Sequence, residues 1–556
     1  MTRHALSTRV LLIFGLIAFL LTGCTNTNTG QTQAAKQNEK PPAASRQQAS
    51  HSQGGELVIA AMEQLPVFDP FGVSKRETHL HDLERITYQG LFTQGSDQSL
   101  EPSLATGYTI DRTKPKPAVV VTLRKGAVWP DGKPVTVEDV LFTYQEYARP
   151  YYYGVWRKWS HLLDGVSPFR TGKAAAISGI TVDRQQGTIR FSLSRDDVSF
   201  LQSLTVPLLP KHQLAGKTTG EIDALSKTGK LLGAGPFQVD SLTPREWTLV
   251  ANSSFYGSKP RLNSIRVIPL AQAKLEEELK AGRVHVSWLS PELASKLAQV
   301  ENGRIVSAAA KGYHFLGYNL QSPALQDITI RKALAQAISP GQISKDSLYG
   351  WADPVKSPLA PGSFAYEPGE WPAFQPDAAA KAFAQKGYTK EKPLPLAFVY
   401  PANNQVRERL ARELSKALEQ LPVRLEKKAL PPDQFVSYLF GGSKVDLYLY
   451  AWEYPADPVE LNRLWHSREK VGERGFNASR YVNPEADQLL EKAQRLLPAS
   501  ERKPLYGAWQ KQFSQDLPIY PLVQVRNPYF VSAQVHGVPD QLGIDPLNSI
   551  EEWWIE

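Results

Sequence analysis

The chain of 556 residues contains one cysteine, Cys24. Everything after it is barred from internal disulfides and from cysteine nucleophile chemistry. A body of that size can fold on core burial alone. Other chemistry-bearing patterns are missing too. There is no Gly-x-Ser-x-Gly and no His-Glu-x-x-His. Gly216-Lys217-Thr218 lacks the earlier glycine that a phosphate loop needs, because position 211 is Lys211. Ser467-Arg468-Glu469-Lys470 and Lys227-Thr228-Gly229 run in the reverse of the order a Ser-x-x-Lys enzyme uses, and no Ser-Asp-Asn accompanies them. His79 and His81 could share a strand face and hold a metal, but two histidines are more often surface residues. The formal charge is +8, yet no Lys/Arg cluster is long enough for a nucleic-acid patch. Charges alternate in sign, which reads as solvated surface. The sequence therefore predicts a protein that is not an enzyme, with no cofactor, no metal and no nucleic-acid partner.

What is present begins at the N-terminus. Arg3, His4 and Arg9 precede Val10–Leu21, which are 12 uncharged and almost wholly apolar residues. A basic start and an apolar run of this length predict a secretory signal; a retained span needs about 20 such residues. Leu21-Thr22-Gly23-Cys24 resembles the bacterial lipobox, Leu-(Ala/Ser/Thr)-(Gly/Ala)-Cys. The resemblance implies a signal peptide over 1–23, cleavage before Cys24 and a diacylglycerol on its thiol. Loss of two signal-peptide arginines leaves about +6 on the remainder. Residues 25–54 contain no Val, Ile, Leu, Phe, Tyr or Trp. So little apolar surface cannot offset ordering entropy, so 24–54 is expected to be a disordered tether, spanning roughly 30 Å as a flexible coil. No second apolar run approaches a membrane span, so the lipid alone would hold the protein to the membrane.

The remaining 500 or so residues exceed one core and predict two or three lobes. Hydrophobic residues make up 42% and charged ones 21%, a globular balance. Residues 118–124 are a β-branched run, and 187–195 alternate Ile189, Phe191 and Leu193, a half-buried strand. A Pro-Asp-Gly turn at 130–132 leads to a helix capped by Thr136, with Asp139 three residues on. Asp327 caps a second helix with Ile330, Ala333, Leu334, Ala337 and Ile338 on one face. Asn483 before Pro484 starts a third, whose stripe is Ala486, Leu489, Leu490, Ala493 and Leu497. Strands interspersed with helices predict α/β architecture.

In order along the chain stand "YQGLF" (88–92), "LEPSLATGY" (100–108), "LRKGAVWPDGKPVTVEDVLFTY" (123–144), "GAGPFQV" (233–239), "ANSSFYGSKPRLNSIRV" (251–267), "YNLQSPALQDITIRKALAQAI" (318–338), "DLYLYAWEYPADP" (446–458) and 475–522. Together they resemble bacterial extracellular solute-binding proteins of family 5, the oligopeptide/dipeptide/nickel-binding lipoproteins of ABC importers. The resemblance implies a two-lobed, periplasmic-binding-protein-like α/β fold (type II, large class with an extra domain) and a ligand cleft between the lobes. It implies lobe I over 55–100, 210–310 and 523–556, the extra domain over 101–209, and lobe II over 311–522. Two chain crossings would form the hinge. The implied protein is a monomer that captures oligopeptides and hands them to an ABC permease and ATPase complex. A nickel-chelate or other small-solute receptor, or a pheromone-sensing lipoprotein, is the alternative.

In peptide-binding members the ligand's amino-terminal ammonium meets a buried carboxylate in a Trp-x-x-Asp-Tyr segment. Here the text is Trp452-Glu453-Tyr454-Pro455-Ala456-Asp457-Pro458. The segment is shorter, and Glu453 stands where Asp is expected. Glu453 or Asp457 could hold the ammonium; alternatively, Asp457 caps the helix after Pro458 and Glu453 faces solvent. Trp452 either packs on the ligand's first residue or fills the hinge. "YYYGVWRKW" (151–159) is either a pocket wall or the core of the extra domain.

Overall fold

The computed structural model describes residues 54–556 except 63–64, 66, 73–80, 96, 442–444 and 474. The signal segment, Cys24, the tether up to residue 53 and His79 lie outside the described residues.

Three sheets organise the chain. An eight-stranded mixed sheet runs, in spatial order, Gln541–Leu542, Gly303–Ala308, Asn527–Ser532, Val286–Trp288, Glu56–Met62, Ser264–Leu270, Glu246–Ala251 and Phe237–Thr243. Its central Glu56–Met62 strand pairs in parallel with Ser264–Leu270, a partner some 200 residues later. A five-stranded sheet runs Val423–Leu430, Leu394–Pro401, Leu447–Glu453, Gly312–Tyr318 and Ile519–Pro521. A four-stranded antiparallel sheet runs Ala105–Asp111, Ala118–Leu123, Thr188–Ser192 and Ile180–Asp183. The chain passes from the eight-stranded to the five-stranded sheet through 309–311 and returns through 522–526. These two short crossings join two lobes.

Local chemistry explains most elements. Asp139 reaches back to the Thr136 N–H at 2.8 Å and starts the Val137–Ala148 helix. Asp327 accepts from Thr329 N at 2.8 Å, and the Ile328–Gln336 helix buries the face that its sequence marks. Asn483 caps Pro484–Ala493. That helix ends at Ala493, short of the expected stripe, so Leu496 rather than Leu497 is fully buried.

The strand that matters for the site is Leu447–Glu453. Its side chains alternate: Leu447 and Leu449 enter one apolar cluster, while Tyr448, Tyr450 and Trp452 join another on the opposite face. Gly317 opposite Tyr448 admits that ring, since a Cβ there would stand 2.0 Å from Cζ. At the strand's end Glu453 pairs in register with Gly312, the first residue of the strand after the crossing.

Candidate functional site: a cleft with one unpaired carboxylate

A cavity of about 1400 Å³ opens between the two lobes. Its walls include parts of 82–98 with 525–528 and Asp545, 156–159 with 202–207, 288–291, and 311–314 with 403–407 and 450–464. Aromatic side chains line much of it, including Tyr88, Trp156, Trp288, Tyr450 and Trp452.

The segment 151–159 divides between its two expected roles. Tyr152 is buried and donates its hydroxyl to Phe71 O at 2.7 Å. Trp156 and Trp159 face the cavity, and Trp156 also donates to Pro70 O.

Five carboxylates line the cavity: Asp82, Glu84, Glu453, Glu460 and Asp545. Asp545 is held by Arg85, Glu460 lies 3.7 Å from Lys158, and Asp82 lies 3.7 Å from Lys311. Glu84 accepts from Asp69 N at 2.7 Å. Glu453 alone of the five is exposed to the cavity with neither an ion pair nor a hydrogen bond among the described residues. Asp457, the other expected candidate, is placed differently. It is buried, caps the turn after Pro458 by accepting from Val459 N at 2.8 Å, and takes both arms of Arg502. It is not among the cavity-lining residues. Trp452 lines the cavity and is braced edge-to-face by Tyr450, with ring centroids 4.9 Å apart, and by Phe440 and Phe476.

Sequence reasoning missed the positive side of the site. Arg407, in the first turn of the Gln405–Leu418 helix, reaches the cavity with its Nε buried and without a hydrogen-bond partner among the described residues. Burial holds its guanidinium below the usual value. In sequence it is one of several arginines on an amphipathic helix, and nothing local marks it out. His314 adds an acceptor: its Nδ1 is buried without a partner among the described residues, and burial followed by Arg407 pushes the ring down to about 3. The imidazole is therefore neutral at ordinary pH. Burial raises the Tyr450 hydroxyl, with Arg407 opposing and Glu453 adding to the rise; all three residues line the cavity.

Of the two histidines expected to share a strand face, His81 instead opens the His81–Thr87 helix, and His79 lies outside the described residues. Among the described residues no group of three His, Cys, Asp or Glu could hold a metal ion.

Asp82, on that helix, is buried beside Asp545 and Lys311. Burial pushes its carboxyl from 3.8 up to about 7 despite the opposing pull of Lys311, and Asp545 adds to the rise. A carboxyl raised in the fold holds its proton more tightly there than in the unfolded chain. The stability from this proton is fully present below about pH 4 and is lost as pH rises through 7. Between pH 5 and pH 8 the parent chain should lose about 2–3 kcal/mol that an Asp82→Asn variant keeps. Urea unfolding at the two pH values checks this.

Comparison with known proteins fits this geometry. The sequence model of bacterial extracellular solute-binding proteins, family 5 middle, matches residues 99–471. Oligopeptide-binding protein AppA of Bacillus subtilis (strain 168) is 22% identical over 575 residues, covering 100% of both chains. The structure of Bacillus subtilis AppA with a nonapeptide superposes with a TM-score of 0.67 at 21% identity, over 91% of this chain and 99% of that one. NikZ of Campylobacter jejuni with Ni(L-His) gives 0.67 at 21% identity, over 89% and 99%. The same fold thus holds a peptide in one protein and a nickel chelate in the other, so ligand choice rests with the side chains in the cleft. The chain belongs to the bacterial extracellular solute-binding proteins, family 5.

Proposed function

We propose that this protein is the peptide-capturing receptor of an ABC importer. It works as a monomer, held at the outer face of the membrane by a lipid on Cys24, and passes oligopeptides to a permease and ATPase complex. It is a carrier without catalytic residues. The observation that carries the reading is the unpaired Glu453 carboxylate in the cleft between the lobes. An ammonium is the group such a carboxylate binds best once water is excluded, because an unpaired charge in a closed cleft is costly. Asp457 is already neutralised by Arg502, so the amino-terminal role falls to Glu453. Trp452, which lines the same cavity, packs on the first side chain of the ligand. Arg407 supplies the matching cation for a ligand carboxylate. The roomy, wet remainder of the cleft tolerates many side chains, with water filling the gaps.

Native mass spectrometry of the purified protein, offered a mixed peptide library, tests this. The expected result is retention of peptides with free amino termini. Retention of a nickel chelate and no peptide, or of nothing, contradicts it. Retention of a single peptide sequence from the library favours the pheromone-sensing alternative.

A further inference from the structure

Beyond the two crossings, the structure carries a third attachment of lobe II, made by the extra domain. Asp196 and Asp197 sit just before the Val198–Thr205 turn of that domain. Facing them is the 494–496 segment after the Pro484–Ala493 helix. Leu496 N donates to Asp196 Oδ1 at 2.9 Å, and Arg495 Nε to Asp196 Oδ2 at 3.1 Å. Arg112 of the extra domain grips the same carboxylate with both arms at 3.1 Å and also donates to Leu496 O. Gln494 donates to the buried Asp197 at 3.0 Å, and Val198 N donates to Gln494 O at 2.8 Å. Apolar packing joins in: Leu496 and Val459 belong to the same buried cluster as Val198 and Phe200.

We infer that this contact is a permanent pivot, kept in both the open and the closed cleft. A rigid lobe fastened at several points can turn only about an axis that passes through them. The crossings at 309–311 and 522–526 run side by side, since the strands they join are paired in both sheets, and the 196–198/494–496 contact supplies a separate fastening. Lobe II then swings about the line joining them. A latch that broke at every closure would give up two hydrogen bonds donated by backbone amides and strip Asp196 of Arg495 each time. The alternating chemistry, with a carboxylate taking one amide and two arginines, suits a joint that stays made. The inference rests on the reading of the cleft as a closing ligand site.

Hydrogen exchange followed by mass spectrometry on the full chain tests it without any ligand. In the ligand-free protein the amides of Val198 and Leu496 should exchange within about tenfold of the Leu447–Glu453 strand. Adding the peptide mixture should slow exchange in cleft segments such as 403–407 and leave these two amides unchanged. An Asp196→Ala variant should speed the Leu496 amide at least tenfold while the Leu447–Glu453 strand keeps its rate. Exchange at the rate of an open loop in the ligand-free chain overturns the pivot, as does an Asp196→Ala variant with unaltered Leu496 exchange. The ligand-free arm stands even if no peptide binds, so failure of the peptide reading and failure of the pivot are separable.

Discussion

An Arg502→Ala chain should unfold about 3–5 kcal/mol more easily than its parent, the range expected when one partner of a buried ion pair is removed. The Arg502 side chain is 3% exposed and that of Asp457 12% exposed. Burial opposes the guanidinium charge, but Asp457 more than compensates and raises it above its usual value. Arg502 also donates to Ala493 O at 3.1 Å and to the Tyr506 hydroxyl at 3.0 Å. It therefore ties the Ala499–Asp516 helix to the end of the preceding helix and to the turn that follows the ligand strand. Without it, Asp457 is a buried carboxylate facing no cation. Arg502→Lys should recover only part of the loss, because a point charge cannot serve both carboxylate oxygens, Ala493 O and Tyr506 together. Removing both charges, in Asp457→Asn with Arg502→Met, should cost less than Arg502→Ala alone, since no buried charge is stranded. Urea denaturation of the three variants checks the order. A loss under about 1 kcal/mol for Arg502→Ala would place the pair in solvent rather than in the core.

Much of this was legible in the sequence, and the limits are physical. Caps are local, so Thr136 with Asp139, Asp327 and Asn483 announce their helices without tertiary help. Stripes fail where a helix stops, which is why Leu496 and not Leu497 turns inward. Asp457 carries two local readings, a cap and an ammonium ligand. Arg502, 45 residues away, neutralises Asp457 in the fold, which no local pattern announces, and favours the cap. Arg407 is the opposite case: its spacing is that of a surface arginine, and the cleft is made by strands from distant stretches. The pairing of Glu56–Met62 with Ser264–Leu270 is likewise beyond local periodicity. Resemblance, rather than pattern, carries that level of organisation.

Glu453→Gln should weaken peptide binding by roughly 2–4 kcal/mol, about 30- to 1,000-fold in Kd. The amide keeps the size and the acceptor oxygen but loses the charge that offsets a desolvated ammonium. Stability should hardly change, because the Glu453 carboxylate has no partner in the ligand-free cleft among the described residues and lies on its exposed surface. This pattern of lost binding with intact folding separates it from Arg502→Ala, which should damage the fold first. Glu453→Asp should fall between parent and Gln, with the charge retained but set back by one methylene. The neutral His314 contributes no change of charge between pH 5 and pH 8, so the comparison is made at pH 6, where the peptide's amino terminus is fully charged.

The most direct measurement is calorimetry of one bound peptide against its N-acetylated form, in the parent chain and in Glu453→Gln. The account predicts that acetylation weakens binding at least about 30-fold in the parent and less than about threefold in the variant, because the charge it removes has already lost its partner. Equal binding of the free and acetylated peptides by the parent chain would contradict it.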